Sequence, residues 1–490
     1  MNTEVSSNQT HRRTMLVAAF LAWMFAGLEN SLFILIHRQM MLELLGSDTP
    51  EKLITEWFAW FQSAFLFGAA VGGWLFGALG DRFGRTRAMA LSVACYSTLT
   101  LCCYFVHDVR LMWALRFTAC LGFGGAWPNA VALVSEAWPS ASRPLMAGVM
   151  GTAANVGFVI LGVIGYTFAI TNDHWRWTLL VGGSPLLLAV WIFIAVPESS
   201  RWLSVRAAAR ESSPKAPLIE VFQPPLLYRT LLGISLGAIP VIGTAANANW
   251  VVPWTDQYEA DVAKKNELAA LKNGVTTSGA VAAGALTSDA LNKDAVNFGA
   301  RADEVSKGSA SAPPGSSTGV VAEKAVAKPK KADPRKKALT QIQRSSGAIV
   351  GSLLGGVIAS LVGRRLSYFL ISLATFAVST CLFTQLNPHH ALFPYVTFLL
   401  GLFGVTYFGW LPLFLPELFP THVRSTGTGI SFNTGRVIAA CVVLLTAFRM
   451  ELFEGDYAQV GMWSGLIYVV GMIIIWFAPR KTELATETSR

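Results

Sequence analysis

Twelve apolar runs, each about as long as a bilayer is thick, leave this chain few ways to fold. They fall at 14–37, 57–79, 88–106, 110–135, 145–169, 176–196, 229–254, 343–362, 366–386, 391–413, 425–447 and 458–478. A hydrocarbon core about 30 Å thick needs roughly 20 apolar residues per helix. Lipid offers no partner to an unpaired backbone N–H or C=O, so such runs must be helices. The alternation of barrel strands is absent. Composition agrees: 53% of the 490 residues are hydrophobic and only 14% charged, where a soluble chain carries roughly a quarter. The expected fold class is an all-α polytopic membrane protein with twelve transmembrane helices.

Charge sets the orientation. Arg12, Arg13, Arg82, Arg85, Arg87, Arg143, Arg201, Arg206, Arg210, Lys215, Arg229, Arg364, Arg365, Arg424, Arg480, Lys481 and Arg490 fall on one side. The short opposite loops hold Arg38, Lys52, Arg110, Arg176 and Arg449. Both termini are therefore expected in the cytoplasm, in a plasma (inner) membrane. The net charge of +9 is this bias and implies no nucleic-acid partner. Cys95, Cys102, Cys103, Cys120, Cys381 and Cys441 show no metal-ligand spacing and read as small buried apolar residues. No metal and no cofactor is expected. The first run is too long for a cleaved secretory signal.

Residues 256–342 differ from the rest. Stretches such as SKGSASAPPGSSTG and KPKKADPRKK are rich in Ala, Gly, Ser and Lys. They cannot bury much apolar area and read as an outside, low-complexity insertion. Around it the chain repeats itself. GALGDRFGR at 77–85 returns, degraded, as GVIASLVGR at 356–364, and EAWPSASRPLMAG at 136–148 as ELFPTHVRSTGTG at 417–429. Pro197 corresponds to Pro479. The offsets, 279, 281 and 282, are nearly constant. Two homologous six-helix halves follow: 1–196 and 229–478, the second interrupted by 256–342. A cytoplasmic linker at 197–228 would carry a surface helix, and 479–490 would be a cytoplasmic tail.

Ionisable side chains at membrane depth are costly and face a cavity or a partner. Glu29 lies near the centre of the first run. Arg116 lies about two turns inside the fourth. Arg436 is 12 residues past Arg424, hence about 18 Å along its helix and near mid-bilayer. Two arginines against one glutamate leave the interior positive, which favours an anionic substrate held by an arginine fork. A structural salt bridge, or an arginine bonding backbone carbonyls, is the plainer alternative for each. Asn433, Asn129, Asn155, Asn249, Trp410 and Tyr407 are further candidates to line a substrate site. Each Asn also fits a simple interhelical hydrogen bond, and membrane Trp and Tyr often serve as interface anchors.

GALGDRFGRTR resembles the hallmark loop between helices two and three of the major facilitator superfamily. ALRFTACLGFGG at 114–125 is similar to its helix-four pattern. PESSRWL at 197–203 and PELFPTHVRSTGTG at 416–429 resemble its sugar, sialic acid and aromatic acid porter branches. The resemblance covers the chain except for the insertion. It implies two pseudo-symmetric six-helix bundles and alternating access. It also implies a cytoplasmic gate, here Asp81, Arg82, Arg85, Glu136, Arg143 and Glu198 in the first half and Glu417 and Arg424 in the second. The second copy replaces the loop's Asp and first Arg by Ser360 and Leu361, so its latch is expected to be weaker. A helix-one acid paired with the helix-four Arg couples protons in many such symporters, which makes Glu29 and Arg116 the expected coupling pair. In the sialic acid porter pattern two Asp stand at Ala26 and Glu29; this chain keeps only the second acid.

The expected function is proton symport of a small organic anion: a sugar acid, a sialic acid, or an aromatic or other organic acid. The expected partners are that substrate, protons and membrane lipid, with the protein a monomer. A neutral sugar symporter or uniporter, a drug exporter, and a transporter-like sensor using 256–342 stand as alternatives. No Ser/His/Asp, paired-carboxylate or Cys/His arrangement at depth suggests an enzyme.

Overall fold

A computed structural model describes residues 2–137, 143–199, 202–204, 217–224, 226–269, 332–420 and 423–479. Among them, twelve helices are long and apolar enough to cross a membrane. We label these α1 (Thr10–Leu45), α2 (Glu51–Phe83), α3 (Arg85–Phe105), α4 (Val109–Val134), α5 (Gly148–Thr167) and α6 (Trp177–Ala195). The second six are α7 (Leu226–Ala269), α8 (Lys336–Val362), α9 (Arg364–Gln385), α10 (Phe393–Leu418), α11 (Gly427–Thr446) and α12 (Tyr457–Phe477). The only bridge between extended residues in the described part is an isolated one, Thr171 to His174. Large apolar side chains such as Leu187, Ile194 and Leu361 stand exposed on the outside, where lipid in place of water is the compatible solvent.

The helices pack as two equivalent bundles. In the first half α2 and α3 pack on α4, and α1 on α5; in the second α8 and α9 pack on α10, and α7 on α11. Adding six to each label converts one set into the other. The same rule interchanges the two main contacts between halves, α5 with α8 and α11 with α2. The repeat reaches single atoms. Gly72 lies against the Leu121 backbone and Gly351 against the Leu402 backbone, so a Cβ at either would collide with the neighbouring helix. Small residues at such crossings let membrane helices approach closely.

Each half also turns its corner in the same way. Gly84, between α2 and α3, has φ 111° and ψ 149°; Gly363, between α8 and α9, has φ 91° and ψ 157°. That region is essentially reserved for glycine. It ends one helix and starts the next without an intervening loop.

Helix ends depart from the sequence expectation because hydropathy marks only the hydrocarbon-soluble middle. α1 and α2 continue well beyond 14–37 and 57–79 through polar turns. α7 runs past 256 to Ala269, and α8 begins at Lys336 rather than 343. Asp256 and Lys337 explain this: they pair with each other at 3.1 Å, so neither charge meets lipid alone. The chain forms two compact units, residues 1–257 with 334–490, and residues 258–333. In the smaller unit, 258–269 are helical, and the Asp333 N–H donates to Glu259 at 3.4 Å. Cys102, Cys381 and Cys441 are exposed, not buried as the sequence suggested, because apolar outward faces suit a thiol as well as a core does. The SVRAAARE stretch proposed as a linker helix lies almost entirely outside the described residues.

Candidate substrate and coupling site

Glu29 on α1 and Arg116 on α4 form a buried ion pair, the two residues 0% and 1% exposed. Arg116 donates through Nη1 to Glu29 Oε1 and through Nη2 to Asn30 Oδ1 at 3.1 Å. Thr100 on α3 donates to the same Glu29 oxygen at 3.0 Å. The guanidinium lies over the Phe33 ring, 4.1 Å from its centroid. Glu29 Oε2 and Arg116 Nε are buried with no hydrogen-bond partner among the described residues. Beside the pair, Asn30, Gln62, Arg116 and the rings of Phe33, Phe58 and Phe61 line a cavity of about 10 Å³, room for about one water.

Arg436 on α11 is buried and meets no carboxylate among the described residues. Its Nη1 lies 3.4 Å from both the Ala69 carbonyl of α2 and Asn433 Oδ1. Asn433 packs against Gly73, so Arg436 and Asn433 both sit on the α2–α11 contact between halves. Asn155 on α5 is half-buried and makes no side-chain hydrogen bond among the described residues. Asn249 on α7 accepts from Arg344 at 2.9 Å.

Three other candidates are occupied elsewhere. Asn129 donates to the Phe76 and Gly125 carbonyls at 3.0 and 2.9 Å, joining α2 to α4. Tyr407 donates to Ser372 at 2.8 Å, and Trp410 to the Arg364 carbonyl at 3.0 Å. Both rings belong to an aromatic cluster with Tyr368 inside the second bundle. The structure does not bring them to Arg436 in this conformation.

The gate candidates gather at the end of the bundle where α1 starts and α12 finishes. Arg85 bonds Asp81 one turn back and lies 3.5 Å from Glu136 on α4. Glu198 serves differently from expectation. Its carboxylate accepts from the backbone N–H groups of Arg85 and Thr86 at 2.9 and 3.2 Å. It therefore caps the N-terminus of α3, where the helix dipole favours an anion. Arg82 is exposed and lies over the Phe83 ring. In the second half Arg364 holds Glu417 at 2.8 Å, and Arg365 donates to the Ala478 carbonyl. Arg143 and Arg424 each begin a helix, but their side chains lie outside the described part.

Sequence reading missed the polar groups at the opposite end. Gln39 on α1 bonds Asp256 on α7 at 3.0 Å, and Lys337 on α8, 2% exposed, bonds both. Thr55 on α2 donates to the Gly455 carbonyl at 2.9 Å. Phe58 packs edge-on against Trp250 and Tyr457. These contacts tie the halves together at that end. Lys337 was hidden by its place in a basic low-complexity run. Arg344, 5% exposed, was hidden by lying at the first residues of a predicted span, where an arginine reads as an anchor.

Twelve spanning helices, two repeat-related six-helix bundles and a polar midline define a polytopic membrane protein whose halves meet along two helix pairs. The sequence model of the Major Facilitator Superfamily matches residues 15–299. The chain belongs to that superfamily. It is similar to the niacin transporter NiaP of Acinetobacter baylyi, 31% identical over 199 residues, 41% of this chain and 44% of that protein. It is also similar to the gallate transporter of Pseudomonas putida, 30% identical over 201 residues, 40% of this chain and 42% of that one. The matched part thus spans less than half the length of either relative. The partially occluded inward open structure of the xylose transporter XylE from E. coli superposes with a TM-score of 0.64. It covers 96% of this chain and 99% of its own, at 14% identity, a likeness of fold alone.

Proposed function

We propose that the protein is a secondary active transporter that moves a small organic anion together with protons by alternating access. The anion is a sugar acid, a sialic acid, or an aromatic or other organic acid. The observation that carries the reading is the buried Glu29–Arg116 pair, one carboxylate oxygen of which has no hydrogen-bond partner among the described residues. A buried acid within reach of a single cation can load a proton when the pair opens and release it when the pair closes. Sign of substrate follows from the count of charges. Glu29 balances Arg116, and Arg436 and Arg344 are buried with no acid paired to them among the described residues, so the midline favours a negative guest. The names of the niacin and gallate transporters point to aromatic carboxylates as the first acids to try.

The halves 1–196 and 229–478 would rock about the midline, joined by 197–228 and with 256–342 outside. The Lys/Arg-rich end would face the cytoplasm with both termini, in a plasma membrane, and the carrier would act as a monomer. The ties among Gln39, Asp256, Lys337, Thr55 and Gly455 support assigning this conformation as closed to the outside. The test is uptake into proteoliposomes of labelled nicotinate, gallate, glucuronate and sialic acid beside neutral xylose, with and without an inward proton gradient. Accumulation of one acid that collapses with the gradient is the expected result. Gradient-indifferent uptake would remove proton coupling, and uptake of xylose alone would remove the anion.

A further inference from the structure

One face of α8 carries a line of polar side chains, each with a buried atom that has no hydrogen-bond partner among the described residues. Gln341, Arg344, Ser345 and Ser352 fall within about 100° of arc at 3.6 residues per turn. All four residues are buried. Gln341 Oε1, Arg344 Nε, Ser345 Oγ and Ser352 Oγ have no hydrogen-bond partner among the described residues. Serines in membrane helices usually return their hydroxyl to a carbonyl one turn back. Ser372 and Thr375 on α9 do so, at 2.9 and 2.7 Å. Ser345 and Ser352 do not. Buried polar atoms without partners are rare enough that a cluster of them calls for a cause.

The face points across the boundary between halves. Gln341 donates to the Phe158 carbonyl of α5 at 3.0 Å, and the Arg344 guanidinium lies 5.4 Å from the Phe158 ring. Farther along, Ser352 stands against Gly151 of α5. The α5–α8 surface is one of the two main contacts between the halves. Arg344 Nη1 donates to Asn249 Oδ1 at 2.9 Å, while its Nε is buried with no partner among the described residues. An arginine whose buried Nε is unpaired has a donor to offer a planar two-oxygen acceptor.

We propose that this α8 face is the principal binding surface for the transported anion, with Arg344 taking the carboxylate and Gln341, Ser345 and Ser352 taking its other polar groups. The Phe158 ring would flank an aromatic or planar portion of the substrate. The assignment rests on the reading of the protein as an organic-acid carrier. It deepens that reading by placing the anion contact on Arg344 of α8, where the sequence points to Arg436 of α11.

The test measures equilibrium binding of labelled nicotinate and gallate to purified protein, with nicotinamide as the uncharged counterpart. Arg344→Gln is expected to weaken carboxylate binding at least tenfold and leave nicotinamide within twofold of wild type. Arg344→Lys should fall between, because it keeps charge and loses the fork. Gln341→Glu guards against a folding defect in the first variant. It retains every α8 cation and sets a carboxylate one turn from Arg344, so it should abolish acid binding while the protein stays monodisperse. Wild-type affinity for the acids in Arg344→Gln or in Gln341→Glu would overturn the assignment while leaving the carrier reading intact. Failure of the wild type to bind or transport any carboxylate would overturn both.

Discussion

Arg364 grips Glu417 through two nitrogens, Nε at 3.2 Å and Nη2 at 2.8 Å. The first half joins Arg85 to Glu136 at the corresponding place in the repeat, at 3.5 Å. The degraded motif of the second half thus keeps this pair in better geometry, while the first half alone adds the Arg85–Asp81 pair that Ser360 cannot replace. Both pairs are partly solvated, so each is worth about 1 kcal/mol. Each pair lies within one half, so Glu417→Gln should lower the stability of the second bundle by about 1 kcal/mol and Glu136→Gln that of the first by less. Thermal unfolding in detergent would read the loss. Reversing the pair, Arg364→Glu with Glu417→Arg, should restore the wild-type melting temperature.

Gly363 isolates backbone strain from packing. Its φ of 91° and ψ of 157° suit glycine, yet a Cβ there meets nothing within 4 Å. Gly363→Ala should cost about 1–3 kcal/mol through the backbone alone. Gly84→Ala should cost more, because a Cβ there runs into the Glu198 carboxylate that caps α3. Thermal unfolding in detergent would rank wild type above Gly363→Ala above Gly84→Ala. Equal melting temperatures for all three would show that the corners relax freely.

Lys337 depends on Asp256 for its burial. Replacing Asp256 by Asn leaves the buried ammonium with neutral acceptors only, Gln39 Oε1 among them, and no counter-charge, a change that costs about 3–5 kcal/mol in buried pairs. The cost falls on the conformation closed at that end, so the protein should open there. Phe58, buried between Trp250 and Tyr457, reports the change. In a background with the native cysteines replaced, Phe58→Cys should react with a membrane-impermeant maleimide at least tenfold faster when Asp256→Asn is present. Equal labelling rates would mean that this knot does not hold the far end shut.

Much of the architecture was legible because bilayer thickness turns hydropathy into helix count, and because the repeat offset checks that count independently. Glu29 and Arg116 were legible for a related reason: a charge inside an apolar run stands out. The rest was lost where a residue's meaning depends on its partner. Lys337 reads as one more lysine in a basic run until Asp256 is seen 3.1 Å away. Glu198 reads as a gate acid until the α3 backbone is seen pointing at it. Tyr407 and Trp410 were legible in depth but not in direction: that their rings turn into an aromatic cluster with Tyr368 here is not written in the sequence. The break in α7, a wide turn at Gly243–Asn247 followed by a tight one at Ala248–Trp250, left no hydropathy signal at all.

The measurement that bears most directly on coupling compares two modes of transport by Glu29→Gln in proteoliposomes. Glutamine keeps the size and the hydrogen bonds available to Arg116 and Thr100 but cannot take up and release a proton. If Glu29 carries the coupled proton, the variant should exchange labelled acid across the membrane at a rate close to wild type and fail to accumulate it when an inward proton gradient is imposed. Accumulation at the wild-type level in Glu29→Gln would contradict the account.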